Sequence, residues 1–389
     1  MTESHLSDLS DVTKPVSLAR GLPNAHYIDE EVFKEERQSV LFDNWAGVGF
    51  AHDVPNEGDA MPVDFLGMPL LLVRDAEGNV NVYQNTCRHR GMILVKEKGN
   101  IRGTIRCPYH SWCYGLDGAL RSTPHVGGPG QNIHEDIKRN ELGLFEIRSH
   151  VYLGVVFVNV SGTADDFTVA HSELLERWKE FDKPLYHHED GAFVLEVDSN
   201  WKLAVENYSE SYHLPWVHPG LNTVSRLEDH YHLEEQYKYS GQGSVVYQQL
   251  KGEDGQTFPD FKDLTDKWDT ASEYATLYPN VMFGVHRDHS YAIILEPVGV
   301  NKTREHVALY YASDEAVGDA YKKLRVTNAD FWEEVFKEDI FVVEGMQKGR
   351  HGVFFDGGKF SPAMDGPTHI FHEWVATQIN NGRAKMAAE

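Results

Sequence analysis

A chain of 389 residues is too long for one small core and points to two domains or more. Its 41% hydrophobic and 12% aromatic content is that of a globular protein, and a formal charge of −24 argues against nucleic acid or an anionic membrane surface as partner. Three cysteines, no apolar run near the roughly 18 residues of a membrane helix, and an N-terminus without the basic start and apolar centre of a signal peptide fit a reducing cytoplasm.

Residues 1 to about 28 are polar and proline-punctuated, and read as an arm that wraps a neighbour or stays loose. From Asp29 to Trp45, Val32, Phe33, Val40, Leu41 and Trp45 fall at helical intervals among charges, so a surface helix leads in. Residues 1–44 therefore form an arm and helix. Short strands follow. Pro69 to Val73 and Val80 to Gln84 flank the turn Asp75-Ala76-Glu77-Gly78-Asn79, Tyr114 to Arg121 repeats the pattern around Asp117-Gly118, and Leu144 to Val160 adds strands with Gly154 between them. Residues 45–160 are expected to be a small antiparallel β-domain.

At the tips of that domain lie Cys87-Arg88-His89 and, seventeen residues on, Cys107-Pro108-Tyr109-His110. Each loop offers one thiolate and one imidazole, and four ligands from two facing loops make a metal site. The set suits a [2Fe–2S] cluster in which histidines replace the cysteines on one iron, or a tetrahedral Zn²⁺. Zinc fingers more often take two cysteines from one element and two histidines from another, whereas here each pair is mixed. Arg88, Arg90, Lys96, Lys98, Arg102 and Arg106 make the stretch basic in an acidic chain, which would steer an acidic electron donor, dock another subunit or form an ordinary solvated face. Cys113 reads as a small buried strand residue.

Residues 161–389 form the second domain. Thr168 to Phe181 reads as a helix, and Ala192 to Val197, Gln236 to Tyr239, Gly243 to Gln249, Val281 to His286, Tyr291 to Val298 and His306 to Ala312 as strands, with helices dominant from Asp314. An antiparallel sheet with long helices on one side makes this an α+β domain. Within the run from Asn200 to His218, Glu206, Glu210 and His213 are expected on one helix face, and Pro215 bends or ends the helix so that His218 swings back toward the same point. Two histidines so placed ask for a carboxylate, the set that leaves positions open on Fe(II). Asp339 sits in the centre of an apolar helix stripe of Trp332, Val335, Phe336, Val342, Val343 and Met346, where a carboxylate needs a cation; Glu338 at the stripe's edge is second choice.

The spacing C-x-H-x17-C-x2-H, with Asn85-Thr86 before it and Ser111-Trp112 after it, closely resembles the cluster signature of the Rieske non-haem iron oxygenases. Glu210, His213 and His218 match that family's Glu/Asp-x2-His-x4-His catalytic motif, and Asp339 in Lys337-Glu338-Asp339-Ile340 fits its late aspartate ligand. The resemblance spans about residues 45 to 350. It implies an N-terminal antiparallel-β Rieske domain with Cys87, His89, Cys107 and His110 on a [2Fe–2S] cluster. A C-terminal helix-grip domain would then hold Fe(II) through His213, His218 and Asp339. Glu210 would link a cluster histidine of one subunit to His213 of the next in a homotrimer or a dimer of trimers, and Asn207 joins it as a catalytic candidate. The family usually has aspartate at the bridge; glutamate resembles the glycine betaine and stachydrine demethylase and carnitine monooxygenase subgroup, served by a separate NAD(P)H-dependent flavin and iron–sulfur reductase or ferredoxin.

The expected activity is therefore hydroxylation of a C–H bond with O₂, most directly oxidative N-demethylation of a small quaternary ammonium or betaine. Tyr212, Trp216, Phe283 and Tyr291 are candidates for the aromatic faces that would hold such a cation. Aromatic-ring hydroxylation and a non-enzymatic electron-transfer role are the alternatives. His286 and His289 are candidates for a substrate carboxylate, with a structural role as the plainer reading.

Overall fold

The computed structural model describes residues 8–388 apart from Tyr237. Contacts divide the chain into two units: Gly47–Thr163, and the chain up to Ala46 joined to everything from Ala164. No helix among the described residues is long and apolar enough to cross a membrane.

The first unit is built from β1 (Ala46–Phe50), β2 (Asp59–Phe65), β3 (Met68–Arg74), β4 (Val80–Gln84), β5 (Gly99–Asn100), β6 (Ile105–Arg106), β7 (Cys113–Tyr114), β8 (Leu120–Ser122), β9 (Arg148–Tyr152) and β10 (Val155–Asn159). These form three small sheets ordered β1-β10-β9, β4-β3-β2-β5 and β6-β7-β8. The expected hairpins form where the turn residues placed them, since Asp75 accepts from Asn79 N and Asp117 from Ala119 N. Leu71, Val73, Tyr83, Trp112 and Tyr114 pack a core that also buries Cys87 and Cys107.

In the second unit, β11 (Ala192–Val197), β12 (His230–Glu235), β13 (Tyr239–Ser244), β14 (Ser272–Leu277), β15 (Val281–Val285), β16 (His289–Gly299) and β17 (Lys302–Tyr311) form one antiparallel sheet, ordered β11-β17-β16-β15-β14-β13-β12. The long helix Lys322–Gly349 packs on β11 and on the helix Trp201–Tyr208; the C-terminal helix Gly366–Ala388 covers β12 and β13.

Several expectations shift. The strands expected at Gln236 to Tyr239 and Gly243 to Gln249 become the β12–β13 hairpin: Gln236 and Lys238 lie in its turn, and β13 ends at Ser244. The reason is steric. In β13 a Cβ on Gly241 would meet Tyr274 O at 2.0 Å, and one on Gly243 would meet the Tyr231 ring at 2.2 Å, so the sequence Tyr-Ser-Gly-Gln-Gly-Ser has no hydrophobic alternation to read. The helix expected from Thr168 to Phe181 is broken into Phe167–Ala170, Ser172–Arg177 and a 3₁₀ turn at Lys179–Phe181, and both Arg177 and the Trp178 indole reach the buried Glu273. The helix after Asp29 runs Glu30–Glu36 and continues as a π-turn over Arg37–Phe42.

The N-terminal arm, as far as it is described, is held by its own chain. Leu9, Val12, Ala19 and Leu22 are buried, Gly21 N donates to Gly357 O, and Leu22 N donates to His372 Nδ1 at 3.0 Å. Beneath it lies a buried charge cluster. Lys202 Nζ is 2.6 Å from Glu36, and Glu206 accepts from the Tyr27 hydroxyl and lies 3.3 Å from His372 Nε2 and 3.4 Å from Arg350. Burial alone raises the Glu206 pKa, but His372, Arg350 and Tyr27 outweigh it and draw it down to about 2. The resulting stability is present above the ordinary carboxylate value and is lost as pH falls from about 4.5 toward 2. Glu206→Gln, which leaves Arg350 buried without its counter-charge, is expected to cost about 3 kcal/mol in a urea melt at neutral pH, with the difference from the parent shrinking as the melt is repeated at lower pH.

Candidate functional site

In the first unit the two cluster loops are built alike. Cys87 N donates to Met92 O and Gly91 N to Cys87 O; Cys107 N donates to Trp112 O and Ser111 N to Cys107 O. Gly91 and Ser111, each four residues after its cysteine, both have left-handed φ, 72° and 57°, which curls each loop tightly enough to turn its cysteine and histidine to one side. The His89 and His110 rings are 4.7 Å apart, and His89 stacks on Trp112. Tyr114 OH accepts from Arg88 N and donates to Cys87 Sγ at 3.3 Å. Cys87 and Cys107 are buried free thiols and His89 and His110 stand beside each other, a donor set that fits a cluster with two sulfur and two nitrogen protein ligands. Cys113 is a buried strand residue in β7, as expected. Of the basic residues, Arg88 lies over Phe145 at 3.8 Å, Arg90 over Tyr109 at 5.6 Å, and Lys98 pairs with Asp53 at 2.8 Å.

In the second unit the helix expected to carry Glu206, Glu210 and His213 stops at Tyr208. Asn200 caps its start by accepting from Lys202 N. The Glu210 carboxylate takes the backbone N–H groups of Tyr212 and His213, which holds the chain off the helical path. Glu206 thus falls in the arm's charge cluster, while Glu210 and His213 meet through a turn. The helix resumes at Leu214–Val217 with Pro215 in its first turn, and His218 follows it.

The consequence is a convergence. One ligand atom each of His213, His218 and Asp339 lies within 4.8 Å of the others. Asp339 Oδ1 is 3.1 Å from His218 Nε2 and 3.6 Å from His213 Nε2. The other ring nitrogens are occupied: His213 Nδ1 bonds Glu210 at 2.7 Å, and His218 Nδ1 bonds Glu338 at 2.7 Å. Glu338 is therefore the partner of a histidine, and Asp339 the acid that faces both. Asp339 Oδ1 is buried without a hydrogen-bond donor, and in the metal-free chain burial pulls His218 down while Asp339 and Glu338 outweigh it and hold it above the ordinary imidazole value. A divalent cation would satisfy the oxygen and replace that proton, so the site fits a 2-His-1-carboxylate metal. Glu338→Gln is expected to weaken Fe(II) binding by about 10- to 100-fold in a metal titration, through loss of the charge that orients His218.

The three residues stand in the wall of a cleft that also meets Asn207, Tyr208, Tyr274, Tyr291, Trp332 and Phe336. Tyr291 lies 4.7 Å from Trp332 and 5.3 Å from Phe336, ring centre to ring centre. Of the four aromatics expected at the substrate, Tyr291 alone lines the cleft. Tyr212 and Trp216 pair with each other at the surface, 43% and 69% exposed, and Phe283 is buried against Trp178. His286 and His289 are stacked in the core behind the wall, 4.3 Å apart. The sequence missed Tyr274, His230 and Gln242, which reach the cleft through sheet register, and Ser225, which reaches it from the loop before β12; none carries a local signature. It also missed Glu305, buried behind Asp339 and pushed up to about 8, by burial first and the Asp339 charge second.

Residues 177–381 match the family profile of the ring hydroxylating alpha subunit catalytic domain, and residues 44–136 that of the Rieske [2Fe-2S] domain. The chain belongs to the Rieske ring-hydroxylating oxygenase alpha subunits. It is an oxygenase that carries a [2Fe–2S] cluster and a mononuclear iron. This alpha subunit is 28% identical to a putrescine 2-hydroxylase of Ralstonia nicotianae, over 95% of this chain and 98% of that one. It is 25% identical to a carnitine monooxygenase oxygenase subunit of Acinetobacter pittii, over 84% of each. Its fold matches a quaternary ammonium Rieske monooxygenase solved with L-carnitine at a TM-score of 0.74, with 23% identity over 96% of this chain and 99% of that one.

Proposed function

We propose that this alpha subunit hydroxylates a C–H bond close to the nitrogen of a small organic ammonium compound, with electrons from a separate NAD(P)H-dependent reductase. The observation that carries the reading is the set of aromatic side chains Tyr274, Tyr291, Trp332 and Phe336 that line one cleft with the His213–His218–Asp339 triad. A cation gains roughly 0.5 to 2 kcal/mol from each face it meets, and the named relatives act on amines or quaternary ammonium compounds.

Cys87, His89, Cys107 and His110 would hold the cluster, and His213, His218 and Asp339 the iron. The iron, when bound, supplies O₂ activation beside the substrate. The chain's own part is positional. Glu210 and Glu338 fix the two imidazoles with Nε2 turned inward. Leu214, Val335 and Phe336 keep the cleft apolar, and Asn207 stands with Asp339 in its wall. One oxygen atom enters the C–H bond and the other leaves as water, at the cost of two electrons and two protons. On an N-methyl group the product is a hemiaminal, which splits into formaldehyde and the demethylated amine. The chain acts as a homotrimer in which Glu210 joins His213 to a cluster histidine of the neighbouring subunit, and the basic loops around Arg88 and Arg90 receive the reductase.

The test is incubation of the holoenzyme with a reductase, NADH and a panel of methylated amines, diamines and arenes, with formaldehyde and product mass as readouts. Hydroxylated or demethylated amines support the reading; cis-diols from the arenes alone would end it.

A further inference from the structure

The polar atoms of the cleft wall have spent their protons inside the protein. Gln242 Nε2 donates to Glu210 O at 3.3 Å, which turns Gln242 Oε1 toward His230 Nδ1 at 2.6 Å. An amide oxygen only accepts, so His230 carries its proton on Nδ1, and its Nε2 is an acceptor filled by the Ser225 hydroxyl at 2.8 Å. With that proton committed, the Ser244 hydroxyl donates into Ser225 across 2.9 Å. This side of the cleft presents lone pairs.

The aromatic side follows the same rule. Tyr208 OH donates to Phe283 O at 2.7 Å, and Tyr291 OH donates to Tyr208 at 3.1 Å. Tyr274 OH accepts from Ser272 at 3.0 Å and turns its own proton to His286 Nε2 at 3.2 Å. The Trp332 indole N–H donates to His289 Nε2 at 2.9 Å, and His289 Nδ1 donates to Asp288 at 2.9 Å. The buried His286/His289 pair thus absorbs the donors of two wall residues, which accounts for histidines so deep in the core. Among the described residues that line the cleft none is lysine or arginine, and the side-chain amide protons left over are those of Asn207 and the second one of Gln242.

Such a wall discriminates by charge and by proton direction. A carboxylate entering it exchanges water for ring faces and lone pairs, with no lysine or arginine and almost no donor to receive it, and the two charges of a bound iron would already be offset by Asp339, Glu210 and Glu338. An ammonium meets ring faces, and a hydroxyl or N–H group meets the open lone pairs of Ser225 and Gln242. Resting on the ammonium reading above, we propose that the cleft takes organic cations without a carboxylate, amino alcohols and amines, and rejects their zwitterionic carboxylate twins.

The experiment compares matched twins on the holoenzyme: choline against glycine betaine, and putrescine against 4-aminobutanoate. Binding is measured by anaerobic calorimetry, and turnover with reductase and NADH by O₂ uptake and product mass. At least one carboxylate-free member is expected to bind at least about tenfold more tightly than its twin. Ser225→Lys, checked for an intact cluster spectrum, is expected to shrink or reverse that ratio by giving the carboxylate a cation. Carboxylate twins that in both pairs bind as well as or better than their partners overturn the inference and leave the ammonium reading standing, as does a folded Ser225→Lys variant with an unchanged ratio. Rejection of all four, with an arene hydroxylated instead, removes both together.

Discussion

Replacing Asp339 with alanine is expected to lower substrate hydroxylation by more than about a thousandfold while the visible spectrum of the cluster stays as it was. A ligand whose loss removes several kcal/mol of transition-state stabilisation has an effect of this size. The two consequences separate because the ligands come from different units: Asp339 lies on the helix Lys322–Gly349, and the four cluster candidates on loops of the unit Gly47–Thr163. The neighbouring Glu338 cannot take over, because its carboxylate is committed to His218 Nδ1 at 2.7 Å. Metal analysis completes the test. Acid-labile sulfide and its accompanying iron are retained, and the additional mononuclear iron is lost. An Asp339→Ala enzyme that kept that iron and turned over would place the metal elsewhere.

Why the candidate metal ligands could be picked out in the sequence, and the cleft could not, follows from distance along the chain. Cys87 with His89, Cys107 with His110, and His213 with His218 are each separated by five residues or fewer, so spacing alone announces them. Asp339 was found by a conflict: an acid in an apolar helix stripe needs a cation, and the structure puts its oxygen against two imidazoles. The cleft wall has neither signal. Gln242 and Tyr274 are brought side by side by the β13–β14 register, and His230 faces Ser244 across β12–β13. Nearness in sequence even misled, since Tyr212 adjoins His213 and yet points outward. The helix through Glu210 failed for a related reason. A carboxylate able to cap two amides beyond a helix end offers the backbone another path, and helical periodicity does not weigh that option.

Changing Glu210 to glutamine is expected to leave cluster and iron in place but slow steady-state turnover by about a hundredfold, the upper range for a group that acts through a metal-bound histidine. In the structure the carboxylate works in two directions: one oxygen takes the proton of His213 Nδ1 at 2.7 Å, and the other takes the backbone N–H groups of Tyr212 and His213. Both roles need an acceptor. An amide has one acceptor oxygen, so in Glu210→Gln the new side chain turns its NH₂ either against the two backbone donors or against His213, and either both backbone bonds or the His213 bond is lost. The loss falls on the link proposed to carry electrons from a neighbour's cluster, while the three proposed iron ligands, His213, His218 and Asp339, are all retained. Stopped-flow mixing of the fully reduced enzyme with substrate and O₂ distinguishes the steps. Product made by iron that is already reduced should appear at near the parental rate, and reoxidation of the cluster should lag behind it. Parental reoxidation in the variant would remove Glu210 from the electron path, and loss of the mononuclear iron would make its role one of holding His213 to the metal.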